Sequence, residues 1–150
     1  MDVAGTTNQK IDLLLNRMQS DPSTSSIPIA NQAAGGNRIL ADGLGPNALS
    51  RIDRDVLAQS GVKYAMIFEG VNDIGVASAD ITNQTLVYKH LIAAYEQMIA
   101  RVHAHQIPIF AATITSFSGA PNDTVQPYQS PIREETRQKV NNWIRKQWEV

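Results

Sequence analysis

The 150 residues contain no cysteine, which removes thiolate zinc sites, CxxC redox chemistry and a cysteine nucleophile while leaving the redox compartment open. There is no excess of charge: 13 Lys and Arg face 14 Asp and Glu, and the basic residues are scattered from Lys10 and Arg17 through Arg38, Arg51 and Arg54. That distribution gives no electrostatic footprint for nucleic acid or for an anionic membrane, and neither is expected as a partner. No apolar run approaches the roughly 20 residues that span a bilayer. The segment from Met1 to Gln19 lacks the basic and apolar regions of a secretion signal. Phosphate-binding signatures are missing as well, since neither GxGxxG nor GxxxxGK[ST] occurs.

What is present, 43% hydrophobic and 18% charged residues over this length, is the balance of one ordinary globular domain, 1–150. Such a chain buries roughly two thirds of its unfolded surface and needs no disulfide or metal staple. Ile11, Leu14, Leu15 and Met18 form the apolar stripe of a first helix over about Asn8–Ser20. Ile27–Asn31 leans to an edge strand despite Pro28. Pro46 opens a second helix carrying Leu49, Ile52, Val56 and Leu57 inward, with Gly61 where a C-terminal cap is needed. Val62–Phe68 and Ile107–Ile114 read as strands buried on both faces. Between them Val87, Leu91, Tyr95, Met98, Ile99 and Val102 recur at helical spacing over about Asn83–His105, the longest helix. Ser130 as N-cap and Pro131 as first residue start a final helix ending near Trp148. Strands separated by crossovers long enough to hold helices argue for a parallel sheet flanked by helices. In such sheets ligands bind beyond the C-terminal strand ends, which ranks the loops after Asn31, Phe68 and Ile114 above the rest.

Gly35 and Gly36 follow the first strand, where backbone N–H groups can converge on an oxyanion without a side chain in the way. A glycine placed in a turn for steric reasons alone is the commoner case. Asn72, at the mouth of a buried strand, carries a neutral amide able to donate to developing negative charge; an ordinary turn Asn is its alternative. His103 and His105 lie at the entry to a strand and, with no carboxylate cluster nearby in sequence, read as a solvated helix end rather than a metal pair. Ser116 and Ser118 are at the correct end of the sheet, but no base is positioned to activate them, and a loop role is expected.

Taken together, Ala33-Ala-Gly-Gly-Asn-Arg-Ile-Leu40 and Glu69-Gly-Val-Asn-Asp-Ile-Gly75 resemble the second and third blocks of the SGNH hydrolases, also called GDSL esterases. The similarity extends through Asp42-Gly-Leu-Gly-Pro-Asn-Ala-Leu49, Arg51-Ile-Asp-Arg-Asp55 and Arg133-Glu-Glu-Thr-Arg137, which look like secreted microbial members. It implies a flavodoxin-like α/β/α fold and cleavage of carboxylic esters through a serine acyl-enzyme, with no cofactor. It further implies that the Gly36 N–H and the Asn72 amide are oxyanion donors. Gly35, Asn37, Arg38, Gly70 and Asp73 are the accompanying candidates for substrate binding, the substrate being a small-molecule or carbohydrate ester.

Two family blocks are missing from these 150 residues: there is no Gly-Asp-Ser and no Asp-X-X-His. The nucleophile block would fall just ahead of Asp2 and the base block beyond Trp148. None of His90, His103 and His105 replaces the base, because each lies away from the C-terminal strand ends. The fold is therefore expected to lack its first and last strands and the chain as given to be inactive. In the order 2-1-3-4-5 the first strand is central, so its lane would stand empty, each unpaired buried backbone group costing about 1–3 kcal/mol. Exposed strand edges then favour self-association. The alternative is a binding or interaction module that keeps the oxyanion pocket for acyl or carbohydrate groups. Localisation stays open; resembling members are often extracellular.

Overall fold

The computed structural model describes residues 4–117 and 128–147, with side chains from residue 11 onward. Contacts divide the chain into two units, Met1–Gly35 and Gly36–Val150. In the first, α1 spans Ala4–Gln19, with Ile11, Leu15 and Met18 half-buried and Leu13 and Leu14 exposed. The helix ends in a turn held by Asp21, whose carboxylate accepts from the Ser23 N–H at 2.8 Å and the Ser23 hydroxyl at 2.7 Å. The segment expected as an edge strand, Ile27–Asn31, is not one. Pro28 offers no N–H to a ladder, and among the described residues no strand pairs with it.

The second unit holds the sheet and the remaining helices. Asn47, not Pro46, caps the next helix: its side chain accepts from the Ser50 N–H at 2.8 Å, so Pro46 lies outside the first turn. Helix α2 runs over Ala48–Ile52 and widens into a π turn at Asp53–Leu57, with Ala58 N–H reaching back to the Asp53 carbonyl at 2.8 Å. Gly61 follows in the left-handed region, φ +75°. Strand β1 is Ala65–Ile67 and β2 is Ile109–Ala111. They pair in parallel, Ala65 opposite Ile109 and Ile67 opposite Ala111. Between them come the short α3, Val71–Val76, and the long α4, Ile81–Ala104, capped by Asp80, whose side chain accepts from the Asn83 N–H. Helix α5, Pro131–Gln147, is the last element among the described residues.

The core gathers on one side of this sheet. Ile67 and Ile109 join Leu91, Tyr95, Met98 and Val102 of α4 and Val140 and Ile144 of α5, and the rings of Tyr95 and Trp143 stack at 5.9 Å. The expectation that both strands are buried on both faces is corrected here. Side chains alternate along a strand, and while Ile67 is 6% exposed its neighbour Met66 is 61% exposed. Tyr64, Phe68 and Phe110 are exposed on the same alternation. Within this unit the helices α4 and α5 cover only the face that carries Ile67 and Ile109.

The segment after β2 is fastened by α5. Asn141, almost fully buried, accepts from the Ile114 N–H at 2.8 Å and donates to the Ile114 carbonyl at 2.9 Å. Arg137 donates to the same carbonyl at 2.6 Å and is held by Glu134. Asn141→Ala leaves the Ile114 amide without that acceptor in a dry site, and a loss of about 1–3 kcal/mol is expected in urea unfolding, with the denaturant slope unchanged.

Candidate functional site

Two loops meet at the C-terminal end of β1, and their contacts are made by polar side chains. Gly70, φ +108°, turns the chain from the strand into α3. A Cβ there would sit 2.7 Å from the Tyr95 hydroxyl and 3.1 Å from Ile114, so both backbone angle and space require glycine. The Tyr95 hydroxyl donates to the Glu69 carbonyl at 2.8 Å, fixing the loop from the core side.

The turn sends Asn72 and Asp73 toward residues 37–40. Asp73 is 4% exposed, and its carboxylate accepts from the Ile39 N–H at 2.9 Å and the Leu40 N–H at 2.9 Å. Burial nevertheless lifts its pKa above the usual carboxylate range, the two amides pulling the other way. The Asn72 amide donates to the Asn37 carbonyl at 2.8 Å, while its Oδ1 accepts from the Tyr128 hydroxyl at 3.2 Å. One Nδ2 hydrogen of Asn72 is thereby used and the group retains a second.

Asn37 is itself built in. Its Oδ1 accepts from Arg51 Nε at 3.1 Å and Nη2 at 2.7 Å, and its Nδ2 donates to the Pro46 carbonyl at 2.9 Å. Arg51 also pairs with Asp55 at 2.9 Å, and Asp55, held by Arg54 and Arg51, is lowered to about 2. Arg38 donates to the Asp42 carbonyl. Gly36 is exposed, with φ +72°. Gly35 closes the other unit, with nothing within 4 Å of where a Cβ would be. Of the candidates named from sequence, the structure thus brings together Asn37, Asn72 and Asp73, with Gly36 and Arg38 flanking Asn37 and Gly70 setting the turn.

Along residues 3–147 the sequence matches the model of the GDSL-like Lipase/Acylhydrolase family. The chain belongs to that family. It is therefore a hydrolase domain of the SGNH type with an α/β fold, here helix-rich around a small parallel sheet. Comparison with curated proteins finds no match. His90, His103 and His105 of this SGNH domain are exposed on or just beyond α4. Among the described residues no group of three or more His, Asp or Glu is placed to hold a metal ion. Ser116 is exposed beyond β2, and Ser118 lies outside the described residues.

Three contributors are not legible as such in the sequence. Arg51 stands in a run whose family likeness is plain, yet nothing local says that its guanidinium grips Asn37. Tyr128 reaches Asn72 across 56 residues. Glu69, ahead of Gly70, stands in the sequence only as part of the motif; in the fold, burial pushes its carboxyl up to about 7, with Asp73 adding to the shift and Arg51 opposing it.

The sign of that shift gives a test. A carboxyl whose pKa is raised on folding contributes stability below its unfolded value, and that contribution is lost as pH rises from about 4.5 through about 7. At about 1.4 kcal/mol per pH unit, and allowing for the part of Glu69 that stays solvated, the loss is about 1–2 kcal/mol. Glu69→Gln is expected to leave stability near wild type at pH 4 and to exceed it by that amount at pH 8, measured by denaturant titration. Asp73→Ala, which strands the N–H groups of buried Ile39 and half-buried Leu40, should cost about 2–4 kcal/mol in the same assay.

Proposed function

We propose that this domain serves a carboxylic ester hydrolase working through a serine acyl-enzyme, with the Gly36 N–H and the Asn72 amide stabilising the tetrahedral oxyanion. The observation that carries this reading is the bond from Asn72 Nδ2 to the Asn37 carbonyl. It sets the amide of one loop beside the residue that follows Gly36 and leaves Asn72 a second N–H for a ligand oxygen. Both donors are neutral, so their strength does not change with pH, and the Asn72 amide is held by protein partners before substrate arrives, which is what gives such a donor its effect. Asn37, Arg38, Gly70 and Asp73 then support the site from behind rather than by touching substrate: Asn37 and Asp73 are buried, and each of their side-chain polar atoms is bonded to protein. The substrate is a small-molecule or carbohydrate ester.

Acyl transfer needs a nucleophile and a base. These 150 residues contain neither Gly-Asp-Ser nor Asp-X-X-His, so the proposed chemistry belongs to a protein in which those blocks accompany this domain, and the chain alone turns nothing over. The test is to assay p-nitrophenyl acetate hydrolysis by the 150-residue chain and by a version extended with its flanking reading frame. Turnover is expected only in the extended form, with Asn72→Ala lowering kcat by about 10²- to 10³-fold. Activity of the short chain, or indifference of the extended one to Asn72→Ala, overturns the proposal. A short chain that folds while both forms stay inactive turns the reading toward a binding module.

A further inference from the structure

We infer that Tyr128 is a positioning residue that fixes the orientation of the Asn72 amide, and that Gly75 is glycine so that the Tyr128 ring can reach it. The inference deepens the oxyanion reading of Asn72 and rests on it for its functional meaning. An asparagine amide can rotate by half a turn at little cost, exchanging its donor and acceptor ends. Here both ends are committed: Nδ2 donates to the Asn37 carbonyl at 2.8 Å and Oδ1 accepts from the Tyr128 hydroxyl at 3.2 Å. A phenol that donates and a carbonyl that accepts are compatible with only one of the two orientations, the one that turns Nδ2 toward the Asn37 carbonyl and Oδ1 toward Tyr128.

The approach of the phenol is built by packing. Gly75 is buried in α3, one turn beyond Asn72, and a Cβ added to it would overlap Cγ, Cδ1 and Cδ2 of the Tyr128 ring. Those are the ring atoms nearest the backbone of Tyr128, not a flexible tip, so the ring as a whole would have to leave. From its other side the ring meets Phe117 edge-on at 6.2 Å. Gly75 closes the same motif that carries Asn72, which ties the site's donor and the seat of its anchor to one short stretch of sequence.

The test is spectroscopic and uses the 150-residue chain, so it does not depend on catalysis. In the ¹⁵N-labelled protein the side-chain amide pair of Asn72 is assigned by its loss in Asn72→Asp. Tyr128→Phe keeps the ring against Gly75 and Phe117 and removes only the hydroxyl. It is expected to shift the Asn72 pair and speed its hydrogen exchange by about 2- to 10-fold, the range one neutral hydrogen bond commands. The backbone amides of Ile39 and Leu40, held by Asp73, should stay in place. Gly75→Ala should produce the same change at Asn72 with the hydroxyl still present. An Asn72 pair that neither moves nor exchanges faster in Tyr128→Phe overturns the inference, whatever Gly75→Ala does. Failure of the oxyanion reading shows elsewhere, as indifference of ester hydrolysis to Asn72→Ala.

Discussion

The site depends on one fastening: the Asp73 carboxylate on the N–H groups of Ile39 and Leu40. A carboxylate accepting from two consecutive amides is a charge-assisted pair of bonds, and it closes a loop of more than thirty residues without any disulfide. Everything else at the mouth of β1 is placed relative to it. Asn72 precedes Asp73 and falls on the Asn37 carbonyl; Gly70 precedes both and supplies the turn that aims them. Because Asp73 is buried, the fastening is costly to ionise and more costly to leave unmade, which makes the loop geometry all-or-none rather than adjustable.

Around that tie the residues divide into those that hold and those left able to donate. Asn37 has its side chain filled by Arg51 and Pro46. Tyr95 spends its hydroxyl on the Glu69 carbonyl while its ring stacks on Trp143 of α5. Arg137 and Asn141 of α5 saturate the backbone of Ile114, in the segment that follows the neighbouring strand. The loops beyond β1 and β2 are thus set by side chains from helices, and the three-residue strands contribute direction more than stability. Preorganisation of this kind is what the proposed oxyanion role of Asn72 requires, since a neutral donor acts only if it need not move when charge develops.

Much of the fold is legible in the sequence. The helical spacing of Leu91, Tyr95, Met98 and Val102 places α4, because one apolar stripe sustained over a long segment fits a helix and no other regular element. Pro131 places the start of α5 for a comparable local reason. The differences have local causes too. Ile27–Asn31 carries strand-forming residues but no ladder partner among the described residues, and pairing is not a property of one segment. An apolar run such as Val62–Phe68, interrupted by Lys63 alone, says that a strand is apolar on both faces, not that both faces are covered; Met66 and Phe110 show the difference.

By itself the sequence determined the family, the α/β alternation and the two loops that meet, since each rests on residues adjacent in the chain: Gly35-Gly-Asn37 and Gly70-Val-Asn-Asp73. Only the tertiary structure decided what each polar group in them does. It separated Asp73 and Asn37, which are buried with every side-chain polar atom bonded to protein, from Asn72, which is half-buried and whose second Nδ2 hydrogen is left to donate. It also brought in Arg51 and Tyr128 from 14 and 56 residues away. The physical reason is that a hydrogen bond is a contact between two groups, and a sequence motif records only one of them.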